Sequence, residues 1–354
     1  MKIHRFASQT FALVLALVFL FSSCEENPNS RRLPRNSGAP GEVMVVMEDD
    51  LWFGPQGDSL RSLFEAYVPL LPQAEPRFSL LHFRLDQMSD LLKHHRNIIE
   101  VEISPNVGPE NDGLKLTRDK WSAQQLVFTA KTVNSQDFYK LVDNQFSKML
   151  SIIDNTEIAR LQKNFQVNHN QKIRALVNEK FGVDMLIPNE TELAKEKNNF
   201  LWIKRERSKY KGNTAHEVVQ GFIVFRYPYK GEQSLSEAAI LAARDSVLKK
   251  HVPGPDPGTY MTTEYRFAPS SEVVTLNDRY TVLTRGLWRT ENYFMGGPFT
   301  SLTTTSTDGN WVVSISGFVF APNFQKREYL REIDAVLQGA TFVKDGAPSV
   351  ATTD

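Results

Sequence analysis

Cysteine is almost missing from this sequence: one residue, Cys24, in 354. That excludes an intramolecular disulfide framework and every paired-cysteine zinc or redox motif. Charge of one sign is not in excess either. The 41 Lys and Arg balance 41 Asp and Glu, and the basic residues are scattered rather than striped, so the chain has no global field for holding nucleic acid. No nucleic-acid partner is expected. The long apolar run, residues 11–21, is about half the roughly 20 residues that a hydrocarbon core of about 30 Å requires. A Gly-rich phosphate loop, a dinucleotide fingerprint and a Gly-x-Ser-x-Gly elbow are all absent, which argues against the common enzyme classes and gives no reason to expect a cofactor. What remains is a composition of 41% hydrophobic residues with 18 Pro and 19 Gly, that of a folded globular protein.

The N-terminus reads as an address. Lys2 and Arg5 form a basic region, residues 11–21 an apolar one, and the small residues Ser22 and Ser23 precede Cys24, so residues 1–23 are expected to be a removable signal peptide. The run Leu20-Phe21-Ser22-Ser23-Cys24 resembles the lipobox of bacterial lipoproteins, with Phe21 where Leu is commoner. The resemblance implies diacylation of the Cys24 sulfur with palmitate-like chains, cleavage before Cys24 and acylation of the new amino terminus. At about 0.8 kcal/mol per buried methylene, several such chains hold a protein to a bilayer far more firmly than one. Cleavage leaves 39 basic residues against 41 acidic ones and a body free of thiols, which suits an oxidising envelope.

Residues 24–41 are rich in Pro, Asn, Ser, Arg and Gly and read as a lipidated tether of about 25 Å root-mean-square extension. Glu25 and Glu26 look like the acidic export signal that sends lipoproteins of Bacteroidota to the cell surface. The expected location is the outer membrane of the cell envelope, facing the periplasm or the exterior.

The body alternates strands and helices. Strands are predicted at 42–47, 78–85, 97–103 and twice within 114–132. A helix is predicted from Asp58 through Val68 and a short one from Ser89 to His95. From Phe138 to Ile153 the apolar spacing is helical, and Asp154 with Glu157 resembles the start of a second helix that ends at Gly182, so either one long helix or two joined helices are expected there. The second half reads as strands at 183–187, 200–204, 218–227, 260–267, 280–288, 299–305 and 311–320. Asp308-Gly309 marks a two-residue hairpin turn, and helices follow Ser236 and Asn323. The fold class is α+β: an N-terminal lobe over 42–182 with long helices at its end, a C-terminal lobe over 183–343, and a flexible tail over 344–354, the long mid-chain helical segment joining the lobes.

In this arrangement the chain resembles a family of uncharacterised Bacteroidota lipoproteins, the domain of unknown function 4837. The matching features are Gly41-Glu42-Val43 before Val45-Val46-Met47; Trp52 with Gly57-Asp58; Leu71-Pro72-Gln73-Ala74-Glu75-Pro76; His95-Arg96-Asn97-Ile98-Ile99; Pro253-Gly254-Pro255 with Tyr260-Met261-Thr262-Thr263-Glu264; and Met295-Gly296-Gly297-Pro298-Phe299. They extend over nearly all of the mature chain. The resemblance implies an envelope lipoprotein and brings no activity with it.

Candidate chemistry is sparse. His216-Glu217-Val218-Val219-Gln220 lacks the second histidine of a zinc peptidase helix, and the adjacent His94 and His95 point about 100° apart on a helix, so no metal site is expected. Glu48, Asp49 and Asp50 end a strand with Asp58 near in sequence, an oxygen cluster of the kind that holds hard cations, though such runs are commonly solvated turns. Trp288, Tyr293, Phe294, Met295, Gly296, Gly297 and Phe299 concentrate aromatics around glycines. If exposed, this is a recognition loop for a glycan ring or a protein; if buried, it is packing around a tight turn. The expected function is a non-enzymatic, membrane-anchored binding protein for an envelope protein or ligand; the alternative is an envelope hydrolase using the acidic residues.

Overall fold

A computed structural model describes residues 33–342. The signal peptide, Cys24, the acids Glu25 and Glu26, and the tail over 344–354 lie outside the described residues.

The first lobe is a five-stranded sheet in the order β2-β1-β3-β5-β4, formed by β1 (Glu42–Val46), β2 (Ser79–Phe83), β3 (Asn97–Ile103), β4 (Gly113–Arg118) and β5 (Leu126–Thr132). The pairs β1–β2, β1–β3 and β3–β5 are parallel and β4–β5 is antiparallel. Parallel strands are covered on both faces, which is why the central ones are continuously apolar. Val43, Val45 and Met47 enter one core, under helix α1 (Pro55–Phe64), while Met44 and Val46 enter a smaller one beside Leu92 and Trp121. Helix α1 starts three residues before the predicted Asp58 because Pro55 occupies its first position, where proline's missing N–H costs nothing.

The mid-chain segment is helical throughout: α2 (Ser135–Leu141), a π turn (Val142–Phe146) and α3 (Ser147–Val167), with Asn134 accepting from the Asp137 amide at 3.0 Å to cap the start. The predicted new helix at Asp154 does not occur, since Asp154 and Glu157 lie in mid-helix as partners of basic groups. The buried Glu157 takes Arg160 at 2.6 Å, Asn97 at 2.8 Å and Arg96 at 3.2 Å. The break comes at Asn170, which caps α4 (Gln171–Phe181) before Gly182, at φ 63°, turns the chain out of the helix.

The second lobe is a large antiparallel sheet. Its path runs β10 (Met261–Thr263), β12 (Arg279–Thr290), β13 (Tyr293–Thr305), β14 (Trp311–Phe320), β9 (Thr214–Pro228), β8 (Phe200–Lys211) and β7 (Glu192–Lys197), and β11 (Ser270–Leu276) also pairs with β12. Helix α4 and the last helix, α6 (Arg327–Gln338), cover one face. Helix α5 (Glu237–His251), capped by Ser236, covers the other. Several strands exceed the sequence reading. Residues 205–217 carry too many charges to look like strand, yet β8 and β9 run through them as a projecting hairpin turning at Gly212-Asn213. Strand β11 escaped notice because it is an edge. The β13–β14 connection spans 306–310 rather than two residues, with the Asp308 carboxylate accepting from Ser306 and Asn310.

Helix α3 and Glu75 are prominent among the contacts that tie the halves. Helix α3 serves both cores, with Met149, Leu150 and Ile153 in the first and Phe165 in the second. Glu75, from the first lobe and 1% exposed, sends its carboxylate to the open start of α6 in the second, accepting from the Lys326 amide at 2.7 and 2.8 Å and the Arg327 amide at 2.8 Å. A carboxylate at a helix N-terminus satisfies free N–H groups and meets the positive end of the dipole. Residues 34–37, read as tether, lie on the first lobe instead. The Pro34 carbonyl accepts from the Ala123 amide at 2.8 Å, Asn36 donates to the Ala123 carbonyl at 2.7 Å, and the Ser37 amide donates to the His94 carbonyl at 2.9 Å.

Replacing Glu75 with Ala should cost about 2–3 kcal/mol, because three charge-assisted hydrogen bonds vanish and two buried amides lose their acceptor. Denaturant titration checks this, and a loss below about 0.5 kcal/mol would remove the cap from the account.

Candidate functional site

Between the lobes lies a cleft of about 710 Å³, within the range of small-molecule sites. One wall is the segment from Ala66 to Leu70 with Arg77, another is α3 at Ser151, Asp154, Asn155 and Ile158, and the third is β11, β12 and α6. It therefore exists only because α6 is held against the first lobe.

Four arginines line it, in two different states. Arg77 donates to Asp154 at 2.7 Å through Nε and again through Nη2. Arg331 holds Glu328 at 2.6 and 2.5 Å, and Arg327 holds Glu328 and the Pro76 carbonyl, each at 2.6 Å. Arg77 is thereby held within the first lobe, while Arg327 through the Pro76 carbonyl and Arg331 through the Arg77 carbonyl at 3.4 Å reach across the lobe boundary. Arg285 differs: its contacts are 3.4 Å to Asp334 and 3.9 Å to the exposed Glu272.

Asp334 projects from α6 towards Arg285. Its side chain is 15% exposed, Oδ1 has no protein partner, and the neighbouring Thr300 hydroxyl, also without a partner, stands beside it outside hydrogen-bond geometry. Burial pushes the Asp334 carboxyl above the usual carboxylate range, and Arg285 offsets this only in part. A second recess of about 330 Å³ opens where the cleft meets Leu283, Asp334 and Gln338, and Val274, Leu276, Leu302 and Leu337 give it apolar walls.

Sequence reasoning missed this site, although a signal was there. Leu330, Asp334 and Leu337 share one face of α6, and Leu283, Arg285 and Leu287 one face of β12. Each set interrupts an apolar row with a charge.

The residues singled out from sequence lie elsewhere. Glu48, Asp49, Asp50 and Asp58 do not converge. All four are exposed, Asp49 faces Arg84 at 3.3 Å and Asp58 faces Arg61 at 2.6 Å. Among the described residues no group of three or more His, Cys, Asp or Glu is placed to hold a metal ion. His216 and Gln220 lie on strand β9 rather than a helix; His216 Nδ1 meets the Asn323 amide nitrogen at 2.9 Å, and the Gln220 amide donates to the Tyr329 carbonyl at 2.9 Å. His94 ends the helix Asp90–Lys93. His95 is buried with Nδ1 3.0 Å from the Asn97 carbonyl, and burial lowers its pKa.

The aromatic loop divides. Trp288 and Phe299 are buried in the core under α5, the Trp288 indole donating to the Val319 carbonyl at 3.2 Å and the Phe299 ring lying 3.7 Å from the Arg244 guanidinium. Met295 packs at the margin of that core. Gly296 and Gly297 admit neighbouring backbone: a Cβ would sit 2.6 Å from the Trp288 carbonyl oxygen at Gly296 and 2.0 Å from that of Val319 at Gly297. Only Tyr293 and Phe294, at the turn of the β12–β13 hairpin, are exposed. Packing, not a ligand, accounts for the glycines.

Residues 170–339 match the model of a domain of unknown function, DUF4837. The C-terminal half of the chain is a DUF4837 domain. Residues 36–166 match a different model, the domain of unknown function DUF8532. The resemblance read across the whole chain therefore divides: the motifs from Gly41 to Ile99 belong to the DUF8532 half, and those at 253–264 and 295–299 to DUF4837. No curated protein matches the chain. A crystal structure from Bacteroides thetaiotaomicron VPI-5482 is 12% identical with a TM-score of 0.25 over 48% of this chain and 47% of that one, so the chain spans about half its length. The cleft lies where the DUF8532 and DUF4837 halves meet.

Because the Asp334 pKa is raised, its contribution to stability is fully present below the ordinary carboxylate range and is lost as pH rises through the folded value. Asp334→Asn should therefore raise the urea midpoint at pH 7, with the gain shrinking as pH falls towards 4. A lower midpoint for the variant at pH 7 would show that the charged form is the stabilised one.

Proposed function

We propose that this protein is a lipid-anchored component of the bacterial cell envelope that binds a ligand in the cleft between its DUF8532 and DUF4837 halves. The carrying observation is the pairing, on one wall of a 710 Å³ cleft, of a loosely held Arg285 with a mostly buried Asp334 whose Oδ1 lacks a partner. Charged groups so placed destabilise a fold unless something occupies the space before them. Anchoring rests on the lipobox-like run ending at Cys24 and on its basic and apolar leader. The acidic residues behind the hydrolase alternative are exposed, and Asp49 and Asp58 face Arg84 and Arg61. The exposed Tyr293 and Phe294 leave a small aromatic tip for a protein or glycan contact.

Cys24→Ala should abolish labelling by radioactive palmitate and leave an unprocessed precursor, and unchanged labelling would refute the anchor. For the cleft, native mass spectrometry of protein released in mild detergent should reveal a noncovalent small-molecule mass. Asn155→Trp, which plants an indole in the cleft from an exposed position of α3, should lose that mass. An identical spectrum for both proteins would refute the cleft as the site.

A further inference from the structure

The Arg285 site carries a more specific reading, one that rests on the cleft being the binding site. Arg77, Arg327 and Arg331 are each committed to carboxylates or carbonyls at 2.5 to 2.7 Å, so they offer a ligand little free charge. Arg285 alone among the four holds its acids at 3.4 and 3.9 Å, which leaves one guanidinium edge for an incoming acceptor. One loosely held cation flanked by Asp334 and Glu272 suits a single negative charge. A dianionic phosphate would meet too few free donors. Past Asp334, which Arg285 faces and which lines both spaces, the 330 Å³ recess opens, walled by Val274, Leu276, Leu302 and Leu337. Leu283, two residues before Arg285 on the same face of β12, lines both spaces.

We propose that the cleft receives a small carboxylic acid with an apolar arm, its carboxylate against Arg285 and its arm in the recess between β11 and α6. Asp334 and Thr300 line the wall beside the guanidinium, and burial raises the Asp334 carboxyl above the usual carboxylate range, which weakens the repulsion an incoming anion meets. A free medium-chain acid and the C-terminus of a short peptide ending in leucine present this same chemistry.

The test is calorimetric titration of the full chain in detergent with butyrate, hexanoate and octanoate, with octanamide and octanol as uncharged controls, and with Ala-Ala-Leu as acid and as amide. Affinity should rise up to roughly fourfold per added methylene until the recess is filled, and octanoate and Ala-Ala-Leu should each bind at least about tenfold more tightly than the matching amide. Arg285→Gln should remove that tenfold preference, while Asn155→Trp should remove binding altogether. The stronger of octanoate and Ala-Ala-Leu identifies the source. Equal binding of acid and amide, an unchanged preference in Arg285→Gln, or no binding of any acid would overturn the assignment. The cleft reading would then stand or fall separately on the mass found by native spectrometry.

Discussion

The arrangement depends on one buried carboxylate. Helix α6 begins at Arg327 with no side chain of its own covering its first N–H groups, and Glu75 reaches across from the other half to accept from them. A helix end buried without acceptors would leave several unsatisfied donors, each costing about 1–3 kcal/mol, so the second lobe's closing helix is completed only when the first lobe is docked. Arg327 and Arg331 then extend the contact to the Pro76 and Arg77 carbonyls. The two halves are separate in sequence family and joined in physical chemistry.

The same helix explains where charge is spent. Its face towards the first lobe carries arginines satisfied by Glu328 and Asp154, while one turn on, towards the edge of the sheet, Asp334 finds only a distant guanidinium. Close ion pairs at the boundary are paid in full by their partners, and the imbalance left at β12 and β13 is the local departure from that rule. Polar groups left short in this way mark places where a fold gives up stability for recognition.

Much of the architecture was legible, because hydrophobic spacing reports directly on what is buried. Residues 97–103 and 311–320 were read to the residue, and Ser89, Ser236 and Gly182 punctuate helices as their chemistry dictates. The failures share a cause: tertiary partners overrode local signals. Asp154 and Glu157 imitate a helix start but answer to Arg77, Arg96 and Arg160, and the charged stretch 205–217 stays extended because β8 and β9 pair with each other. The site was invisible for a related reason. Arg285, Thr300 and Asp334 are 15 and 34 residues apart along the chain, and only the β12–β13 register, which sets Arg285 opposite Thr300, and the packing of α6 bring them together. The aromatic-glycine run drew notice because it is locally dense, and density there reflects strands that lie close.

The pinning of residues 34–37 to the His94–Arg96 and Ala123 backbone shortens the leash. From Cys24 to Pro34 is ten residues, so with the acyl anchor proposed at Cys24 even a taut chain lets the body stand no more than about 35 Å from it. Under the proposed anchor, a body held that near a bilayer meets its ligand at the lipid surface.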